Sequence, residues 1–219
     1  GGVALGRTVV AAAAQIVSGG GFASATDVQS GGEMYVVSLG AVQGVTIEDG
    51  GLITVSSGGA ALETLVQSGG TMGVQSGGVG SGGVISNGGY VAVSSGGESI
   101  GDTVLSGGMI IASSGGAVTD TVVSAGGYVV VSSGGESDGV IISAGGMEII
   151  SAGGQANNTQ LFASGKIDFD ALVYASGATA TFDSSTDILT IQAGDVTNTV
   201  SLAGDYQDLY FHLSKDVTD

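Results

Sequence analysis

The stretch SSGGESIGDTVLSGGMIIASSGG, residues 94–116, contains no aromatic, histidine, cysteine, lysine or arginine, and most of the chain uses the same alphabet. Two SSGG tetrads bracket it, with Gly96 and Gly115 19 residues apart and a third glycine pair, Gly107-Gly108, between them. Working outward, glycine pairs begin at 31, 50, 69, 88, 107, 126 and 145, and Ser164-Gly165 continues the series. A second series begins at 1, 20, 39, 58, 77, 96, 115, 134 and 153, with Leu39-Gly40 standing in for one pair. Self-similarity at a fixed period of this size is the mark of a repeat architecture in which each unit stacks on its neighbour.

The apolar residues keep the same phase. Counted from the first glycine of each unit, the sixth position reads Val36, Val55, Val74, Val93, Ala112, Val131 and Ile150. The fourth reads Met34, Ile53, Met72, Val91, Ile110, Val129 and then Glu148, which is expected to mark a local register shift. The seventeenth reads Ile47, Val66, Ile85, Val104, Val123, Ile142 and Leu161. Two residues earlier stand Val45, Thr64, Gly83, Asp102, Thr121, Val140 and Thr159, small or β-branched apart from Gly83 and Asp102. Spacing by two is the strand period, and β-branched side chains suit a pleated, half-buried surface. The pattern predicts an all-β fold: a parallel β-solenoid (β-helix) of about eight to nine 19-residue turns, two short strands per turn, with glycine at the corners.

Composition agrees. Of 219 residues, 44 are glycine and none is proline, as expected where corners need positive φ and every strand amide has a ladder partner. Hydrophobic residues make up 42% and charged ones 11%, too apolar a mixture for a disordered linker. The net charge of −17, with only three basic residues, excludes nucleic acid as a partner. No cysteine is present, so disulfides and thiolate metal sites are excluded. The segment VVAAAAQIV, residues 9–17, lacks the basic flank of a signal peptide beyond Arg7 and fits the repeat instead.

From about residue 165 the period fades, and phenylalanine, tyrosine and acids accumulate. Residues 1–164 therefore read as the repeat domain and 165–219 as a C-terminal β-rich cap, built from alternating runs such as TATF, DILTIQ, TNTVSL and LYFHLS. Leu209, Phe211 and Leu213 would share one face of the last run, with Tyr210 and His212 on the other. The first unit begins in mid-repeat, which suggests further chain upstream or a second subunit over that end.

Catalytic residues are scarce. His212 is the single histidine, and the acids taken as outward-facing, Glu63, Glu98, Asp102, Asp120, Glu136 and Asp138, are scattered rather than paired. The calcium-binding nonapeptide is not matched, because GGVGSGGVI at 77–85 lacks its aspartate; Asp168 with Asp170, and Asp183 with Asp187, are the places in the cap where calcium could be held. Serines recur before the glycine pairs at Ser57, Ser76, Ser95, Ser114 and Ser133. They read either as corner hydroxyls satisfying local backbone groups or as a ladder of glycan acceptors.

The repeat GG-x-x-x-V-S-S-GG, followed by T-x-V-x-S, resembles the 19-residue repeat of the self-associating autotransporter adhesin passengers of Gram-negative bacteria, the AIDA family, over roughly residues 1–164. The resemblance implies a non-enzymatic adhesin, extracellular or on the bacterial cell surface, that mediates adhesion, autoaggregation and biofilm formation. In that family some members carry O-heptose on repeat serines, which by motif would be Ser57, Ser95, Ser114 and Ser133, placed there by a glycosyltransferase. Implied partners are further copies of the chain, lateral or end-to-end, and host or matrix surface glycans or proteins. The family's membrane β-barrel has no counterpart in these residues, so a fragment, a processed passenger or a relative exported otherwise is expected. Two other readings stand beside it: a subunit of a self-assembling extracellular filament or matrix, and a polysaccharide-active β-helix enzyme.

Overall fold

The computed structural model describes residues 2–162, 164–170, 172, 177–194, 196–204, 206, 211 and 213. Three parallel sheets of nine strands each run the length of a solenoid, and a three-stranded antiparallel sheet follows them. The first sheet runs from Val3–Leu5 to Gln155–Asn157, the second from Thr8–Val9 to Gln160–Leu161 and the third from Ala14–Val17 to Lys166–Asp168. Every parallel strand pairing within the three sheets keeps the 19-residue register, as in Tyr90↔Met109↔Tyr128↔Met147. At about 4.8 Å per turn, nine turns make a rod of roughly 43 Å.

Each turn has three strands where the glycine series led us to expect two. The arc after the SSGG corner is broken by one residue in the left-handed region: Gly6, Ala25, Gly44, Glu63, Gly82, Gly101, Asp120, Gly139 or Asn158, with φ between 48° and 69°. This third corner is a single residue rather than a pair, and alanine, acids and asparagine serve there as well as glycine. It therefore leaves no repeated doublet in the sequence. The rod is consequently three-sided.

The corners themselves are tight turns. In the Ser94–Gly97 corner the Gly97 amide donates to the Ser94 carbonyl at 2.9 Å, while Ser95 and Gly96 hold φ of 52° and 78°. Positive φ at both central residues is the type I′ geometry, whose twist fits between strands. At the Leu105–Gly108 corner only Gly107, at 76°, has positive φ, as in a type II turn. The backbone ladder does not stop at these bends: Ser95 N donates to Ser114 O at 3.0 Å and Gly96 N to Gly115 O at 2.9 Å. Proline would delete one such bond in any turn.

Inside the rod, the fourth-, sixth- and seventeenth-position columns are buried as expected, from Met34, Val36 and Ile47 through Val129, Val131 and Ile142. A fourth buried column, in the first sheet, includes Ala23, Val42, Ala61 and Val118. Fully burying an aliphatic side chain of this kind contributes about 1.5–3 kcal/mol, and each turn supplies several.

The far end is covered. Strands Thr179–Asp183, Ile188–Ala193 and Val196–Ser201 form the antiparallel sheet. Thr159 N donates to Ser201 O at 3.0 Å and Ala203 N to Thr159 O at 2.8 Å, so the last solenoid turn gains a backbone partner. Leu189, Ile191, Val200, Leu202 and Tyr206 close over Ile150 and Ala156, and the Tyr206 ring meets Phe182 edge-on at 5.7 Å. Phe211 and Leu213 pack against this cluster, whereas Leu209, Tyr210 and His212 lie outside the described residues.

The two glycines of one corner have different reasons to be glycine. A Cβ on Gly96 would meet nothing within 4 Å, so only its φ resists substitution, whereas a Cβ on Gly97 would be driven into the carbonyl of Val74 one turn below. Gly96→Ala should cost about 1–2 kcal/mol. Gly97→Ala should cost more than about 3 kcal/mol, because main chain must move. Chemical denaturation of the two variants checks the order; equal losses would refute the steric account.

Candidate functional site

The serine corners lie along one edge of the rod. Ser57, Ser95, Ser114 and Ser133 are all exposed, each on the turn that joins the third sheet to the first. Ser57, Ser76, Ser95 and Ser114 hold φ between 48° and 52°. Ser133 does not, and a Cβ on Gly153 would sit 3.0 Å from its Oγ. The corner amides are satisfied by main-chain carbonyls one turn along, Ser57 N on Ser76 O and Ser114 N on Ser133 O. Satisfying local backbone groups, the structural role expected of these hydroxyls, thus falls to the ladder instead. What remains is a file of outward hydroxyls at the spacing of the turns.

Two acids go inward, against expectation. Asp102, taken as outward from sequence, is fully buried: its Oδ1 accepts the Gly83 amide at 2.7 Å and its Oδ2 meets the Ser99 hydroxyl. Gly83 occupies the same column one turn earlier, and a Cβ there would sit 3.1 Å from Asp102 Oδ1. The two departures from the β-branched column are therefore complementary, a vacancy filled by a carboxyl. Glu148 causes no register shift; it pairs in line between Val129 and Ile167 and points into the core. Ser137 Oγ donates to its Oε1 at 2.7 Å and Thr159 Oγ1 to its Oε2 at 2.9 Å. Burial pushes both carboxyls above their ordinary values, outweighing the hydrogen bonds that act the other way. Each is visible in the sequence by one signal, an acid at a position that, after Arg7 and Gln15 in the first turn, is otherwise small, apolar or β-branched.

Two of the cap acids considered for calcium hold side-chain hydrogen bonds. Asp170 accepts from Ser151 Oγ at 2.8 Å. Asp183 accepts from Ser185 N and Oγ at 2.9 and 2.7 Å, bonds that hold its carboxyl below the ordinary range. Asp187 sits in the left-handed region at φ 56°. Among the described residues no three acids or histidines gather as a metal site would require. Glu63, Glu98, Asp120, Glu136 and Asp138 lie on the outside as expected, and Glu136 and Asp138 accept from Asn157 and Asn158 at 3.1 and 2.7 Å. A cleft of about 370 Å³ lies between the last turn and the antiparallel sheet, with Gln155, Asn157, Ile188 and Thr199 in its walls and no titratable side chain.

A family model described as "Adhesin of bacterial autotransporter system, probable stalk" matches residues 34–89. Among solved structures the chain is similar to the crystal structure of a TibC-catalysed, hyper-glycosylated fragment of TibA, residues 55–350. The identity is 31%, the alignment covers 77% of this chain and 68% of that one, and the TM-score is 0.65. No curated protein matches.

The buried acids make stability depend on pH. Unfolded, Asp102 and Glu148 ionise at about pH 4; folded, they keep their protons to higher pH. The unfolded state then binds fewer protons, so stability falls as pH rises from about 4 toward the raised folded values. Melting temperatures followed from about pH 4 to about pH 8 should fall less steeply for Asp102→Asn and Glu148→Gln than for the parent; parallel curves would contradict it.

Proposed function

Because the chain belongs to the AIDA family of bacterial autotransporter adhesin stalks, we propose that it is a non-enzymatic adhesin acting outside the cell or at its surface, through repeated lateral contacts along the rod. The single observation that carries this reading is the unbroken 19-residue register of three nine-stranded sheets, which presents each outward position again at every turn. Many weak, identical contacts in file give strength by avidity rather than through one deep site. Contacts of this kind serve self-association, hence autoaggregation and biofilm formation, and equally the glycans or proteins of a host or matrix surface. In this reading residues 1–164 form most of the contacting rod, and 165–219 add its last strand, Lys166–Asp168, and close its end.

We propose further that Ser57, Ser95, Ser114 and Ser133 accept O-linked glycans from a glycosyltransferase. Their exposure on one edge supports this, as does the glycosylated state of the similar TibA fragment. A sugar on a corner hydroxyl breaks no ladder bond, because the ladder runs through the main chain beneath it.

The test joins display with mass measurement. Cells displaying the chain should clump, and intact mass after co-expression with a serine glycosyltransferase of this kind should exceed the polypeptide mass. Replacing all four serines with alanine should remove that excess while changing folding stability by no more than about 0.5 kcal/mol per site. Unmodified parent protein under those conditions would remove the glycosylation proposal, and display without clumping would remove self-association.

A further inference from the structure

The cleft at the far end lies between two strand edges. Gln155–Asn157 is the last strand of the first sheet, and Val196–Ser201 is an outer strand of the antiparallel sheet. Among the described residues the two are joined by one bridge, Thr159 with Leu202, and no backbone bond links residues 154–157 to 196–200. The ladders on either side fix where their main-chain groups point. Gln155 N donates to Gly135 O at 3.1 Å and Gly139 N to Asn157 O at 3.0 Å, so these two residues face the preceding turn. Ala156, between them, therefore turns its amide and carbonyl to the cleft. Across from it, Leu202 N donates to Asp187 O at 2.8 Å. Bonded pairs alternate in an antiparallel ladder, so Val200 and Asn198 bond to the neighbouring strand while Thr199 and Thr197 turn their main-chain groups away from it. Ser201 shows this direction directly, since its carbonyl accepts Thr159 N at 3.0 Å.

The side chains in the walls add to these groups. Gln155, Asn157 and Asn198 bring carboxamides, and Thr197, Thr199 and Ser201 bring hydroxyls. Of these six, only Asn157 uses its side chain in a hydrogen bond within the protein among the described residues, donating to Glu136 at 3.1 Å. Amides and hydroxyls between them both donate and accept. Among the described residues no charged side chain lines the cleft, and the half-buried Ile188 gives it an apolar patch. We infer that this cleft binds one or two units of a neutral sugar through those carboxamides, hydroxyls and strand-edge groups. The inference deepens the adhesin reading, on which it rests for its partner, and adds a glycan contact at the end of the rod to those along its sides.

Size and chemistry select this ligand class. A volume of about 370 Å³ is at the lower end for small-molecule sites, with room for a small ligand and none for a folded partner. A sugar ring presents hydroxyls at close intervals, each able to donate and accept, with apolar C–H groups between them, and the walls offer the same mixture. Sulfated, phosphorylated or acidic sugars meet no cation here and are repelled by a chain of net charge −17. A metal ion finds no carboxylate among the lining residues, and a purely apolar ligand would leave the polar groups unpaired. A peptide strand laid between the two edges would need them two strand spacings, about 9.6 Å, apart. The Thr159–Leu202 bridge holds their joined end at one spacing. An open cleft without an aromatic wall binds weakly, and many displayed chains together raise that strength by avidity.

Chemical-shift titration of the purified, unglycosylated chain tests this, with glucose, galactose, mannose, N-acetylglucosamine, lactose, maltose and cellobiose as neutral probes and glucuronic acid and sialyllactose as charged ones. At least one neutral sugar should shift the resonances of Gln155, Ala156 and Thr199 saturably, and the charged sugars should bind about tenfold more weakly or not at all. Thr199→Val and Gln155→Ala should each weaken that binding about threefold to tenfold, as expected for one hydrogen bond lost. Thr103→Val, which removes an outward hydroxyl on the second sheet, should leave it unchanged. Thr199 and Gln155 are exposed, so unchanged melting temperatures confirm the fold. Shifts confined to the sides of the rod, or cleft shifts insensitive to both cleft variants, would overturn the inference and leave glycan contact along the rod in place. Equally tight binding of the charged sugars would overturn it too, since the walls would then not select for neutrality. If none of the neutral sugars shifts the cleft resonances, the cleft is a hydrated seam only and the inference falls, while clumping of cells that display the chain decides the adhesin reading separately.

Discussion

One constraint governs the rod: every strand amide must find its carbonyl one turn away at the same height. Tyr90, Met109, Tyr128 and Met147 lie in one column because the backbone pairs them, and the chain can gain or lose no residue within a turn without shifting each column after it. A one-residue slip would exchange the buried and exposed sets on all three sheets. The lack of proline and the closed second glycine of each corner follow from this requirement, as does a ladder that continues through the bends.

That rigidity makes the core tolerant in an unusual way. A cavity or polar group in one turn can be compensated by the turn above or below, because identical positions are neighbours. Gly80 and Gly83 leave space in one turn, and Ser99 and Asp102 of the next fill it with a hydrogen-bonded pair. Glu148 is answered by Ser137 on one side and Thr159 on the other. Burying an ionised carboxylate without a counter-ion would be costly, so the neutral, hydrogen-bonded form is the one that fits. Thr26 and Thr64, in the column that holds Asp102, keep buried hydroxyls without such a partner.

The period made most of the fold legible. A doublet of glycine every half-unit and aliphatic columns two residues apart define the strands, the corners and the inward face. The third corner stayed hidden because a single left-handed residue is enough there, and Glu63, Asp120 and Asn158 fill it with side chains that otherwise suggest surface function. Asp102 and Glu148 were misplaced for a related reason. A column argument assigns direction from the neighbours, and an acid argues for the opposite direction although the backbone has already fixed it. The serine corners were legible as positions but not as geometry, since sequence does not say whether a hydroxyl or the ladder satisfies the turn.

The same column logic bears on the charge. Stacking puts consecutive residues of a column about 4.8 Å apart, where two carboxylates would repel by about 1 kcal/mol even in water. Among the described residues of the solenoid no acid stands directly on another. Glu98 and Glu136 are separated by Ala117, Glu63 lies between Gly44 and Gly82, Asp120 between Gly101 and Gly139, and Glu33 between Ala14 and Leu52. The chain thus carries a large net charge without direct repulsion along the strand ladders, and the repulsion that remains acts between rods. A surface arranged in this way resists indiscriminate aggregation where its acids lie, as at Glu98, Glu136 and Asp138 on the first sheet, and leaves its uncharged stretches as the places where contact costs least. Adhesion by a repetitive rod needs that distinction, because a face that attracts at every turn would otherwise attract everything.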